Sequence, residues 1–236
     1  HYTGQEIVEH QPFKEPTWLF KGLLPGGGWT LLLGDGKVGK SLFAVQLAYA
    51  LATHQDFFGY PNLTGQPLNV VFVQSDTPRS VWQAQLTALG LPRDPVIYLF
   101  PNAWGSLTTG ITLVQAELTP LKPDFVIWDS MEKLFFGRDL TQKEEVAQCL
   151  ARLIRVSGPA FALIHHVRKQ DPSTPDNARS AAWGSSFLSH DWTQQVYFRG
   201  PQGPVELTGR LIEDQVLRAG RDVVRGTGGL WLRSRP

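Results

Sequence analysis

Residues 34 to 41 read Gly34-Asp35-Gly36-Lys37-Val38-Gly39-Lys40-Ser41, a full match to the pattern G-x-x-x-x-G-K-[ST]. No other stretch constrains the fold as much. The octet follows an apolar run, Trp29 to Leu33, and opens a helical pattern at Lys40. In that setting the glycines let backbone N–H groups curl around an anion, and the positive end of the helix faces it. Lys40 is then placed to reach terminal phosphates and Ser41 to ligate Mg²⁺. The segment read as binding a nucleoside triphosphate is Gly34, Asp35, Gly36, Lys37, Val38, Gly39, Lys40, Ser41 and Leu42. Lys37 is not required by the pattern and reads as a solvated charge.

A strand, a phosphate-binding loop and a helix imply an α/β fold, and the remaining sequence agrees. Short apolar runs at Trp29 to Leu33, Asn69 to Gln74, Val96 to Phe100, Phe125 to Asp129 and Phe161 to His165 alternate with helical patterns, the signature of a mainly parallel sheet flanked by helices. Lys40 to His54 is apolar nearly all round and reads as a buried helix, and Pro78 to Leu89 opens on a proline suited to a first helical position. Thr141 with Glu144 forms a capping box ahead of Val146, Leu150, Leu153 and Ile154, with Gly158 as the stop. The last third changes character. Gln194 to Phe198, Val205 to Leu211 and Gly229 to Leu232 read as antiparallel strands added to one edge of the sheet. The expected organisation is one domain: an arm over 1–15, a core over 16–192 and antiparallel strands over 193–236.

Composition removes several other classes. Hydrophobic residues make up 42% of 236, enough for a sizeable core. The 22 basic and 21 acidic residues leave a net charge of +1, so a nucleic-acid or membrane partner would have to be met by local patches. A single cysteine, Cys149, cannot make an internal disulfide, and no Cys/His cluster has zinc-finger spacing, which fits a reducing cytoplasm. No apolar run reaches the roughly 18 residues of a membrane span.

A phosphate loop needs a second carboxylate on the metal side. Phe125-Val126-Ile127-Trp128-Asp129 supplies an apolar strand ending in one acid, the Walker B arrangement. Its competing role is an ordinary strand-end Asp that caps a turn. The next residue is Ser130, so a water-activating carboxylate must come from elsewhere. Its expected source is the end of the Asn69 to Gln74 strand, expected beside the phosphate-loop strand, where Asp76 is the one acid. Asp76 could equally cap the helix that begins near Pro78.

Taken together, WLFKGLLPGGGWTLLLGDGKVGKSLFAVQLAYALA, VVFVQSDTPRSV, VIWDS, ALIHHVRK and WGSSFLSHDW resemble the RecA-like ATPases of the plasmid RepA helicase group. They are more distantly similar to the ATPase domains of DnaB-type replicative helicases and the KaiC/RadA branch. The likeness spans about Trp18 to Phe198. It implies ATP and Mg²⁺ as ligands, Lys40 and Ser41 on phosphate and magnesium, Asp129 as the Walker B acid, and Asp76 where the family usually has a catalytic Glu. It also implies that His165 or His166 senses the γ-phosphate; alternation along a strand allows only one of them to face the nucleotide.

The same resemblance implies a hexameric ring in which Arg210 or Arg199 reaches a neighbouring subunit's γ-phosphate. Two loops would face single-stranded DNA, one carrying Lys133 and Arg138 and the other Arg168, Lys169 and Arg179, since basic side chains neutralise phosphates. Phe135 and Phe136 in the first loop can stack on bases or pack in the core. The resulting expectation is ATP-driven translocation on, or unwinding of, DNA in plasmid or phage replication. The competing readings are a KaiC- or RadA-like ATPase in recombination, repair or signalling, a slow nucleotide-gated switch and, less favoured for want of a distinct lid, a small-molecule kinase.

Overall fold

Runs such as Val70–Gln74 and Phe125–Asp129 are buried along their whole length, so each needs cover on both faces. That requirement sets the architecture. The computed structural model describes residues 3, 5, 17–34, 36, 38–91, 95–100, 107–130, 142–157 and 160–166, with strand segments 194–198, 205–209, 212–217, 223–226 and 229–232. A short hairpin, β1 (Trp18–Phe20) and β2 (Leu24–Pro25), precedes β3 (Gly28–Gly34) and α1 (Lys40–Ala52). Then come β4 (Val70–Gln74), α2 (Arg79–Ala88), β5 (Ile97–Leu99), α3 (Leu107–Leu121), β6 (Phe125–Asp129), α4 (Lys143–Ser157) and β7 (Ala160–His166). The chain continues with β8 (Gln194–Phe198), β9 (Val205–Gly209), β10 (Ile212–Leu217), β11 (Val223–Gly226) and β12 (Gly229–Leu232).

One sheet takes the order β10-β9-β8-β3-β7-β6-β4-β5. The pairings β8 to β3, β3 to β7, β7 to β6, β6 to β4 and β4 to β5 are parallel. The mainly parallel α/β core expected from the sequence is present, with two revisions. β4 does not lie beside β3; β7 and β6 intervene, and β4 pairs with the Walker B strand. Gln194–Phe198 runs parallel to β3, so the antiparallel addition to this sheet begins only at β9, while β11 and β12 form a separate hairpin.

Alternation divides the sheet into two faces. Leu32, Phe72, Ile127 and Ile164 pack with α1 and with Trp82 of α2. Leu33, Val73, Trp128 and Leu163 pack with Val114 and Leu118 of α3 and with Val146 and Leu150 of α4. Burying one such side chain stabilises the fold by about 1.5–3 kcal/mol. On the second face the buried Trp128 indole donates from Nε1 to Ser157 Oγ at 2.8 Å. α4 has Glu144 and Glu145 in its first turn and Arg155 in its last, complementing the helix dipole. The Thr141 half of its expected capping box lies outside the described residues, and the helix's first bond is Val146 N–H to the Gln142 carbonyl at 3.1 Å.

Candidate nucleotide and metal site

The strand order brings the carboxyl ends of β3, β7, β6 and β4 side by side, and parity then selects which side chains meet. Gly34, His166, Asp129 and Gln74 share the face on which α1 packs, because they are in phase with Leu32, Ile164, Ile127 and Phe72. His166 sits opposite Gly34 in the ladder, and Gln74 opposite Asp129. His165 is in phase with Leu163, is fully buried, and belongs to the face covered by α3 and α4.

Gly34 has a backbone requirement of its own. Its φ is +155°, and a Cβ there would lie 2.7 Å from the Phe198 carbonyl oxygen and 2.9 Å from Phe198 Cβ. Only glycine lets β8 pass this close to the start of the phosphate loop. Phe198 is fixed in turn by an edge-on contact with Phe43 in the second turn of α1, with ring centroids 5.0 Å apart. Gly39 caps α1 in the left-handed region, with φ 99°, and no side chain closes the helix end. The first turn carries no acid, so the positive helix end faces the loop unopposed by its own residues.

Lys40 is 5% exposed, and its ammonium donates to the Gly34 carbonyl oxygen at 2.7 Å. His166 Nδ1 lies 3.4 Å from the same nitrogen. A lysine ammonium has only protons to offer, so this contact is attractive when Nδ1 is the lone-pair nitrogen and the ring is neutral. Of the two histidines, His166 is thus the one on the phosphate-loop side.

Asp129 is 2% exposed and accepts from Gln74 Nε2 at 2.9 Å. Burial pushes its carboxyl up from the ordinary 3.8 to about 6, against the lowering effect of hydrogen bonds from Ser41 and Gln74; nearby Asp76 raises it further and Lys40 lowers it. A carboxylate this poorly compensated, beside a serine hydroxyl, suits a divalent cation. Among the described residues no group of three or more His, Cys, Asp or Glu could form a metal cage. One carboxylate and one hydroxyl fit the way Mg²⁺ is usually held, with substrate oxygens and water completing the shell.

Asp76 is exposed, just beyond β4, and close enough to Asp129 to raise its proton affinity. It does not cap α2. Pro78, expected as the first helical residue, is instead the N-cap, so α2 starts one residue later at Arg79, and no side chain caps that helix. Gln74 instead holds the loop ahead of α2, its Oε1 accepting from the Asp76 and Thr77 amides at 2.8 and 2.9 Å. Gln74 and its neighbour Ser75 are residues of the candidate site that the sequence reading misses. The signal was one polar residue closing the otherwise apolar VVFVQ strand, in phase with its core-facing positions.

Asp35 and Lys37 of the loop lie outside the described residues, as do Lys133, Arg138, Arg168, Lys169, Arg179, Arg199, Arg210, Phe135 and Phe136. Among the described residues no helix is long and apolar enough to cross a membrane.

The sequence profile of the family described as "AAA domain" matches residues 6–172. The chain is similar to the DNA repair protein RadA of Chlamydia pneumoniae, with 29% identity over 181 residues, 74% of this chain and 34% of that protein. It is also similar to the DNA repair protein RadA of a Synechocystis species, with 25% identity over 189 residues, 76% of this chain and 34% of that protein. The chain thus spans about a third of the length of these curated relatives.

Proposed function

Because the chain belongs to the AAA domain family and has a RecA-like P-loop fold, we propose that it hydrolyses ATP with Mg²⁺ and couples hydrolysis to work on single-stranded DNA. The observation that carries the ATPase part of this reading is the convergence of Lys40, Asp129, Gln74 and His166 at the carboxyl ends of four adjacent strands, on the face where Ser41 lies in the first turn of α1; the DNA part follows from the resemblance. Ligands of open α/β sheets bind at these strand ends.

In this scheme the backbone amides after Gly34 and the α1 N-terminus bind the phosphates, and Lys40 neutralises the terminal ones. Ser41 and Asp129 would hold Mg²⁺, which would supply neutralisation of the phosphate charge when bound. His166, held beside Lys40, donates to or senses the γ-phosphate. Asp76, exposed and free to face a bound nucleotide, orients the attacking water and takes its proton. An aspartate in this role reaches one methylene less than a glutamate, so Asp76→Glu should keep or raise turnover and Asp76→Asn should bind ATP without hydrolysing it. Full turnover by Asp76→Asn removes the assignment.

For the wider role, a homo-oligomeric ring, probed by the trans candidates Arg199 and Arg210, with Lys133, Arg138, Arg168, Lys169 and Arg179 on the DNA path, follows from the resemblance to ring-forming RecA-like helicases. The names of the RadA relatives, DNA repair proteins, favour repair over plasmid or phage replication as the setting. The deciding experiment is a mass measurement with and without ATP and oligonucleotide, run beside ATP hydrolysis with and without single-stranded DNA. DNA-stimulated hydrolysis by an assembly supports the motor reading. A monomer indifferent to DNA refutes it.

A further inference from the structure

A buried primary amide must place two N–H protons and a carbonyl oxygen, and a fully buried one can do so only with protein partners. Gln74 is 0% exposed. Its Nε2 donates to Asp129 Oδ2 at 2.9 Å, and its Oε1 accepts from the Asp76 and Thr77 amides at 2.8 and 2.9 Å. The reverse orientation would set N–H against N–H and carbonyl against carboxylate, so the network fixes which way the amide points.

Gln74 and Asp129 form the last rung of the β4–β6 ladder. Beyond it the two chains are joined by local contacts. The Ser75 amide donates to the Asp129 carbonyl. The Ser75 hydroxyl donates to that carbonyl at 3.0 Å and accepts from the Ser130 amide at 3.1 Å. The Asp76 carboxylate has no hydrogen bond among the described residues, and no side chain caps α2 to hold its approach. Among the described residues that carboxylate is placed by its own peptide, whose N–H Gln74 Oε1 holds directly while the Ser75 contacts fix the residue before it. Asp129 in turn accepts from Ser41 at the start of α1.

We propose that Gln74 is a positioning residue that acts through Asp76: it ties the peptide carrying Asp76 to Asp129, so that the hydrogen bonding of Asp129 with Ser41 at the phosphate loop sets where the Asp76 carboxylate stands. The proposal rests on the reading of Asp76 as the water-orienting acid. A positioned group displaced by about 1 Å can lose on the order of 100-fold in rate.

The test uses the full chain with Gln74→Met, which keeps the length of the side chain and removes its hydrogen bonds, and Gln74→Asn, which keeps the amide and shortens its reach. Either variant should lower kcat by roughly 10- to 100-fold while Mg-ATP affinity, measured by calorimetry, stays within about threefold. Added to Asp76→Asn, and measured by single-turnover hydrolysis, the same change should lower the residual rate by less than about threefold, because its route to the chemistry is already gone. The proposal is overturned by a parental kcat in both variants, by kcat and affinity falling in proportion, or by a full multiplicative loss in the double variant. If Gln74→Met does not fold, Gln74→Asn alone decides by the same criteria. Full turnover by Asp76→Asn sinks the functional reading and this proposal with it, whereas an inert Asp76→Asn beside parental Gln74 variants sinks the positioning role alone.

Discussion

Replacing Asp129 with asparagine should make the nucleotide-free protein more stable at neutral pH while disabling it. Asp129 is buried, and its carboxyl titrates in the folded chain near 6 instead of 3.8. A folded-state pKa above the unfolded value means that the native state holds the proton more tightly, so this group's contribution to stability falls as pH rises from about 4 to about 6. Below that window both states are protonated and no difference arises. Above it, two pKa units correspond to a loss of about 3 kcal/mol. Asparagine has nearly the same shape and can still accept from Gln74 through its carbonyl oxygen, yet carries no charge. The variant should therefore gain up to about 3 kcal/mol over the parent at pH 8, roughly 5–10 °C in midpoint for a chain of this size, and the gain should shrink toward zero near pH 4. Urea or thermal unfolding across pH 4 to 8, in EDTA, measures it. Adding Mg-ATP should reverse the order, since the parent gains from binding and the variant has lost a cation ligand. A variant no more stable than the parent at pH 8, or a difference that does not change with pH, would refute the argument that Asp129 is destabilised by burial.

Gly34→Ala places a methyl 2.7 Å from the Phe198 carbonyl, and should destabilise the fold by about 1–3 kcal/mol while weakening nucleotide binding; a parental urea midpoint would show that β8 yields freely. Ser157→Ala strands the buried Trp128 Nε1 and should lose about 1–3 kcal/mol in the same assay, a loss that should be smaller when measured in a Trp128→Phe background, whereas strictly additive losses would deny the pair. His166→Ala should slow hydrolysis roughly 10- to 100-fold with Mg-ATP affinity nearly kept, because the ring stands beside Lys40. His165→Ala should instead lower the melting temperature, since that side chain is buried on the opposite face; if the two exchange these effects, the parity argument fails.

What the sequence discloses here depends on how far apart the partners are. The phosphate loop is local, with residue types and spacing set by one loop and one helix end, and α1 and the apolar strands can be read directly. Walker B could be read as an apolar run ending in Asp129. Contacts across the sheet could not. Whether β4 sits beside β3 or beside β6 depends on pairings 55 residues apart, which leave no mark in periodicity. The direction of β8 is likewise set by its partner and not by its residues. Gln74 acquires a role only once Asp129 is opposite it. The histidine pair shows an intermediate case: alternation requires that one ring faces the loop, and only the packing of α1 on one face shows that it is His166. α3 carries a periodic signal, Leu107, Ile111, Val114, Leu118 and Leu121 falling at helical spacing, but the sequence reading passes over it, because the β-branched Thr108, Thr109, Ile111 and Thr112, with Gly110 and Pro120, give the segment poor helix propensity. It is nonetheless helical, with Val114 and Leu118 filling the second face.

Mg²⁺-dependent ATP hydrolysis by the parent chain and by Lys40→Ala, with ATP binding followed separately by calorimetry, tests the central claim most directly. Lys40 is buried with its ammonium against the Gly34 carbonyl and His166, at the strand ends where the phosphates are expected. The account predicts that the parent hydrolyses ATP, that EDTA stops it, and that a folded Lys40→Ala protein does not turn over. Equal hydrolysis by a folded Lys40→Ala variant, or a parent that neither binds nor hydrolyses Mg-ATP, would contradict it.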